Sequence, residues 1–172
     1  MNLENYIAVI PDFPKKGISF KDVTSLIENG ETYAYVIDLL AQKAKELNAE
    51  YIVSPEARGF IFGCPVATKL NIGFIPVRKK GKLPRETISV KYDLEYGQDE
   101  LFMHKDAIKK GARVVIIDDL VAIGGTLNAV ATLVEKAGGK VEGLLSVITL
   151  KGLPGEKILE KYGLQSLLYL ED

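Results

Sequence analysis

Apolar residues recur along this chain with two periods, and the alternation between those periods predicts the fold. Between residues 30 and 47, Val36, Ile37, Leu40, Ala44 and Leu47 fall on one side of a helix, with lysines and glutamates opposite. "YIVS" (51–54) then reads as a short strand, "GFIFGCPVATKL" (59–70) as an apolar helix with a glycine-rich start, and "GFIPV" (73–77) as a strand. Residues 78–100 break the rhythm. "RKKGKLPRE" is basic and holds Gly and Pro, "TISVKYDLEYG" alternates like an edge strand, and "ELFMHK" reads as the return strand. "ARVVIID" (112–118) is a nearly continuous apolar run, as expected of a strand buried on both faces. Residues 124–137 return to the helical period, with Leu127, Val130, Leu133, Val134 and Ala137 on the core side. "KVEGLLSVITL" (140–150) is a long strand, followed by a short helix around 155–162 and a last strand at "SLLYL". Residues 1–29 read as irregular, with two prolines and a glycine between Pro11 and Gly17.

Strands that alternate with helices imply right-handed crossovers and a parallel sheet covered on both faces, so the fold class is α/β. Ligands of such sheets sit at the carboxyl ends of the strands. A chain of 172 residues suits one domain. Charge narrows the partners. With 22 basic and 23 acidic residues the net charge is −1, which argues against nucleic acid as the main partner. No apolar stretch approaches the roughly 18 residues of a spanning helix, and residues 1–25 lack the apolar core of a signal peptide. The single cysteine, Cys64, forms no internal disulfide and reads as a small buried packing residue. These features lead to the expectation of a soluble, cytoplasmic protein.

The chemistry concentrates in "VVIIDDLVAIGGT", residues 114–126. Asp118 and Asp119 would stand at the carboxyl end of a central strand and point to opposite sides of the chain. Neighbouring carboxylates with little water repel each other and need partners. Carboxylates only accept hydrogen bonds, so sugar hydroxyls or the waters of a divalent cation suit them. One aspartate alone would be read as a helix cap worth about 1 kcal/mol, but a pair followed by a small-residue loop favours a ligand. Ala122, Ile123, Gly124, Gly125 and Thr126 then open a helix whose first N–H groups lack internal partners, and the glycines let an anion approach them. The triphosphate motif G-x-x-x-x-G-K-[ST] and the dinucleotide motif G-x-G-x-x-G are both absent. An acid pair for hydroxyls beside a monophosphate cradle fits ribose 5-phosphate.

That stretch resembles the phosphoribosyl pyrophosphate motif of the type I phosphoribosyltransferases. "IPDFPKKGISFKDVT" (10–24), "EARGFIFGCPVA" (56–67) and "VRKKGKLPRETISVKYDLEYG" (77–97) are similar to the branch acting on adenine. The resemblance implies a mostly parallel core over residues 30–172, a small N-terminal hood over 1–29, a mobile loop over about 78–100, and a homodimer. It implies purine salvage: transfer of 5-phosphoribosyl from phosphoribosyl pyrophosphate to N9 of adenine, giving AMP and pyrophosphate with Mg²⁺. By the same resemblance, Asp118 and Asp119 hold the ribose hydroxyls, directly or through the waters of the metal, and residues 122–126 cradle the 5-phosphate. Glu56, Ala57 and Arg58 form the pyrophosphate loop, with a cis bond at its first peptide, and Arg78, Lys79 and Lys82 add positive charge. Ser19, Phe20 and Lys21 belong to the hood that reads adenine. Glu95 is the catalytic residue and Tyr96 its neighbour in the closing loop. One position departs from the family pattern: Ile123 stands where threonine is usual, and a lost hydroxyl to phosphate costs about 1.5–3 kcal/mol.

Other readings stay open at this level. A regulator that binds phosphoribosyl pyrophosphate without turnover would use the same motif, as would a transferase acting on hypoxanthine, xanthine or orotate. The run Arg78–Arg85, with five cations in eight positions, also suits a solvated loop. His104, the only histidine, reads as structural, and "GLPGEK" (152–157) resembles a phosphate loop only superficially.

Overall fold

The computed structural model describes residues 1–94 and 96–172. The N-terminal segment holds a two-stranded antiparallel ladder of β1 (Ala8–Ile10) and β2 (Phe20–Asp22), then α1 (Thr24–Ile27) and α2 (Gly30–Glu46). Next come β3 (Tyr51–Pro55), α3 (Arg58–Leu70), β4 (Gly73–Val77), β5 (Thr87–Asp93) and β6 (Gln98–His104). The chain ends with β7 (Arg113–Val121), α4 (Gly125–Lys136), β8 (Lys140–Lys151), α5 (Gly155–Leu159) and β9 (Leu164–Glu171). The main sheet has five parallel strands in the order β4-β3-β7-β8-β9, so the acid-bearing strand lies at its centre.

Both faces of this sheet are buried, and alternation along the strands divides their side chains between two cores. Ile52, Val115 and Ile117 face a cluster built with Val36, Leu40 and Phe62 from α2 and α3. Val53, Val114 and Ile116 face a second cluster with Leu127, Val130 and Leu133 of α4. That division explains why 114–117 reads as an unbroken apolar run, since a strand covered on both sides has no solvent face. Helix α3 lies close over β3 because two glycines four residues apart face it. A Cβ on Gly63 would lie 2.2 Å from the buried Ser54 Oγ, and one on Gly59 would lie 2.9 Å from Asp118 Oδ1. Ser54 in turn donates to the Ile117 carbonyl at 2.6 Å, which ties β3 to β7 just before the acids.

Three sequence expectations change. Residues 1–29 are not wholly irregular: besides the short ladder they hold a 3₁₀ turn at Leu3–Tyr6. Elements of three or four residues are too short to leave a periodic signal, and Ser25 fastens them by donating to Tyr6 O and accepting from Ala8 N–H. The edge strand and return strand read in "TISVKYDLEYG" and "ELFMHK" are the β5–β6 hairpin, paired from Thr87↔His104 to Asp93↔Gln98. Its Leu101 and Met103 are buried in the α4-side core. The helix around 155–162 is α-helical only to Leu159 and finishes as a 3₁₀ turn. Cys64 is partly exposed rather than buried. His104 is buried, and its Nε2 accepts the Arg85 N–H at 3.3 Å. Among the described residues no helix is long and apolar enough to cross a membrane.

Candidate active site

At the carboxyl ends of β3 and β7 opens a cleft of about 850 Å³, walled by the segments that follow both strands and by the tip of the β5–β6 hairpin. Strand β7 is longer than its apolar run suggests. It continues to Val121, so Asp118 and Asp119 lie within the strand, still paired to β8 at Asp118↔Ser146. This corrects their expected position at its end: the ladder runs on through the polar residues because β8 supplies a parallel partner as far as Thr149. Both acids line the cleft.

Asp119 is only 4% exposed, and Arg58 at the start of α3 brings Nε to 2.9 Å from its Oδ2. That contact is an ion pair without hydrogen-bond geometry, so the buried oxygen keeps its accepting capacity. The Asp119 N–H donates to Asp118 Oδ1 at 2.8 Å. Burial above all, and then the charge of Asp119, push the Asp118 carboxyl well above the usual carboxylate range. The pair thus has acceptor capacity to offer, and the Arg58 charge offsets only part of the rise at Asp118. Hydroxyl donors or a hydrated cation would relieve that imbalance.

Residues 122–126 all line the same cleft. Gly124 precedes α4 with φ +91°, a conformation that side-chain-bearing residues rarely adopt, and no side chain caps the helix. The free N–H groups at this helix start therefore face the cleft with no internal acceptor. Ile123 is 61% exposed at the rim.

Glu56, Ala57 and Arg58 form the turn between β3 and α3, and the Glu56–Ala57 peptide is cis, as the resemblance implied. The Glu56 carboxylate is already used: Oε1 accepts the Lys79 N–H at 2.7 Å and Arg78 Nε at 3.2 Å. Its side chain therefore holds residues 78–79 in place. The hairpin grips the same spot, because Arg78 and Phe102 exchange backbone hydrogen bonds at 3.0 and 2.8 Å.

Lys79 reaches the cleft and forms an ion pair with Asp99. Burial alone would lower its pKa, but the hydrogen bond and charge of Asp99, with Tyr92, raise it, and Lys79 in turn lowers Asp99. Tyr92 joins this pair to the opposite wall. Its hydroxyl donates to Asp99 Oδ2 at 3.3 Å and accepts from Thr126 Oγ1 at 3.4 Å. Tyr92, Asp99 and Gly59 were not singled out from the sequence. Only Gly59 left a trace there, as half of the G-x-x-x-G spacing in "GFIFG".

Some expected residues are not brought together. Arg78 is spent on Glu56 and does not line the cleft, and Lys82 lies in an exposed turn away from it. Phe20 and Lys21 stand on β2 and Ser19 just before it, all three outside the cleft lining. There Phe20 meets Phe13 edge-to-face at 5.2 Å, and Lys21 Nζ donates to Ser19 Oγ at 2.9 Å. The reason is connectivity: among the described residues β2 pairs only with β1, so no main-sheet hydrogen bonds draw it toward the strand ends. Tyr96 is 86% exposed at the hairpin turn, and Glu95 lies outside the described residues.

Comparison with known proteins agrees with this geometry. Residues 22–162 match the family model described as the phosphoribosyl transferase domain. An adenine phosphoribosyltransferase of Clostridium botulinum is 58% identical over 168 residues, covering 98% of each chain. The crystal structure of an adenine phosphoribosyltransferase from Thermoanaerobacter pseudethanolicus superposes with a TM-score of 0.93 at 49% identity, covering 98% of both chains. The enzyme from Saccharomyces cerevisiae, solved with adenine and D-2,5-dideoxy-2,5-imino-altritol 1,6-bisphosphate, gives a TM-score of 0.92 at 36% identity over 96% of both. The chain belongs to the phosphoribosyltransferase family, in its adenine phosphoribosyltransferase branch.

Proposed function

We infer that this protein transfers the 5-phosphoribosyl group of phosphoribosyl pyrophosphate to N9 of adenine, releasing AMP and pyrophosphate, a purine-salvage reaction. The observation that carries the phosphoribosyl half is the placement of an acid pair and an uncapped glycine loop on one strand–loop–helix unit facing one cleft. Adenine is supported by relatives bearing that name along the whole chain, including the yeast enzyme solved with adenine.

In this reading Asp118 and Asp119 accept hydrogen bonds from the ribose hydroxyls, and the amides of 122–126 with the Thr126 hydroxyl receive the 5-phosphate. Arg58 and Lys79 face the pyrophosphate, while Arg78 and Lys82 add charge from behind. Three cations near the cleft, Arg58, Arg78 and Lys79, are paired with Asp119, Glu56 and Asp99. An entering pyrophosphate would compete with these carboxylates for the cations. Ser19, Phe20 and Lys21 are assigned to adenine, with Tyr96 and Glu95 in the segment that closes over the reacting centre and keeps water from the activated ribose.

The donor set fits Mg²⁺. Asp119 offers a buried oxygen without a hydrogen-bond partner, and among the described residues no cluster of three or more His, Cys, Asp or Glu forms a protein cage. Magnesium is commonly held by one or two carboxylates, substrate phosphates and its own waters. Asp118 and Asp119 would hold it through such waters, and when bound it supplies positive charge to the departing pyrophosphate. Assembly as a homodimer and a cytoplasmic location complete the proposal.

Pyrophosphate release tests it. With Mg²⁺ and phosphoribosyl pyrophosphate, release is expected with adenine and not with hypoxanthine or orotate. Turnover with hypoxanthine alone would overturn the base, and binding of phosphoribosyl pyrophosphate without turnover on any base would make the protein a regulator. The exposed Ile123 gives a second check. Ile123→Thr sacrifices little burial and restores a hydroxyl donor, so the KM for phosphoribosyl pyrophosphate is expected to fall or hold steady. A full phosphate hydrogen bond would be worth about 1.5–3 kcal/mol. A rise in KM would show that the loop is built around isoleucine.

A further inference from the structure

The second glycine of "GLPGEK" stands directly behind the 122–126 loop. Gly155 opens α5, is buried, and donates its N–H to the Ala122 carbonyl at 2.9 Å. A Cβ at position 155 would lie 2.4 Å from Ala122 O and 2.8 Å from Val121 Cγ1. From the loop side, a Cβ on Gly124 would lie 2.8 Å from Gly155 Cα. The two backbones thus touch with no side chain between them, and the contact exists only because both residues are glycine. Helix α5 is anchored in turn, since Leu159 is fully buried in the core cluster that holds Leu127 and Val130 of α4.

We infer that Gly155 is a positioning residue for the 5-phosphate, fixing the loop from behind; this rests on the assignment of that phosphate to residues 122–126. The physical argument is peptide planarity. The Ala122–Ile123 peptide is rigid and trans, so holding the Ala122 carbonyl against α5 points the Ile123 N–H away from α5. A cradle made of backbone amides is only as well oriented as the backbone path behind it. Gly155 supplies that orientation without touching the ligand.

A methyl group at 155 must push the loop by about 1 Å, and a misplacement of that size weakens the affected step by up to roughly a hundredfold. Gly155→Ala is therefore expected to raise the KM for phosphoribosyl pyrophosphate by roughly tenfold to a hundredfold, with the KM for adenine unchanged and kcat altered far less. In thermal shift, ribose 5-phosphate should stabilise the wild-type protein and fail to stabilise the variant. Adenine should act equally on both. Should the variant not fold, amide exchange in the native protein decides: ribose 5-phosphate should slow exchange at the Gly155 N–H, and adenine should not.

Equal stabilisation of both proteins by ribose 5-phosphate, or a Gly155 amide indifferent to it, would overturn the role of Gly155 alone. A matching rise in both KM values would overturn it too, by showing general damage. If ribose 5-phosphate failed to stabilise even the wild-type protein, the phosphate assignment would fall and this role with it.

Discussion

Asp118→Asn is expected to raise the melting temperature of the substrate-free protein at neutral pH while weakening phosphoribosyl pyrophosphate. The wild-type carboxyl is pushed up by burial and by the neighbouring Asp119 charge, so its ionised form is the strained one. Because the folded chain binds this proton more tightly than the unfolded chain does, the cost is absent below the unfolded value of about 3.9. It grows as pH rises toward the folded value and is fully present above it. Asparagine has no such titration and keeps the Oδ1 that accepts the Asp119 N–H.

The difference in melting temperature should therefore be small near about pH 4 and widen toward neutral pH. The substitution relieves the burial cost first and then the repulsion, so the melting temperature should rise by a few degrees. On the proposed assignment of Asp118 to the ribose hydroxyls, the same substitution removes a charged acceptor worth about 1.5–3 kcal/mol, so KM should rise roughly ten- to a hundredfold. Thermal melts in EDTA across pH, with steady-state kinetics in Mg²⁺, check both halves. A variant that melts lower than the wild type at neutral pH would show that Asp118 is compensated in the free protein.

Glu95→Gln is expected to lower kcat by roughly 10²- to 10⁴-fold, the usual range for a positioned acid–base group. Binding of phosphoribosyl pyrophosphate, measured by calorimetry, should change only a few-fold. The chemistry sets this split. Departure of pyrophosphate builds positive charge on the ribose, and adenine must lose a proton as N9 bonds to carbon. A carboxylate aids both needs in the transition state and neither in the ground state. If kcat is unchanged, Glu95 has no catalytic role.

The alternation of periods was enough to establish the α/β class, the strands 73–77 and 140–150, and the three long helices close to their observed bounds. These elements are long, and each buries a whole face, so periodicity carries the information. The motif 114–126 was equally legible, because backbone cradles and paired acids are contiguous in sequence. What the tertiary structure decided is every contact between segments far apart in the chain. The cations at residues 58, 78 and 79 meet the carboxylates of Asp119, Glu56 and Asp99, and Tyr92 links Asp99 to Thr126. Gly155 touches Ala122 and Gly124 of the loop from a separate helix. No local pattern encodes such pairs, since a residue's period reports which face it occupies and not what lies across from it. Likewise β7 runs on through its aspartates only because β8 lies alongside it, a condition that the apolar run alone does not contain.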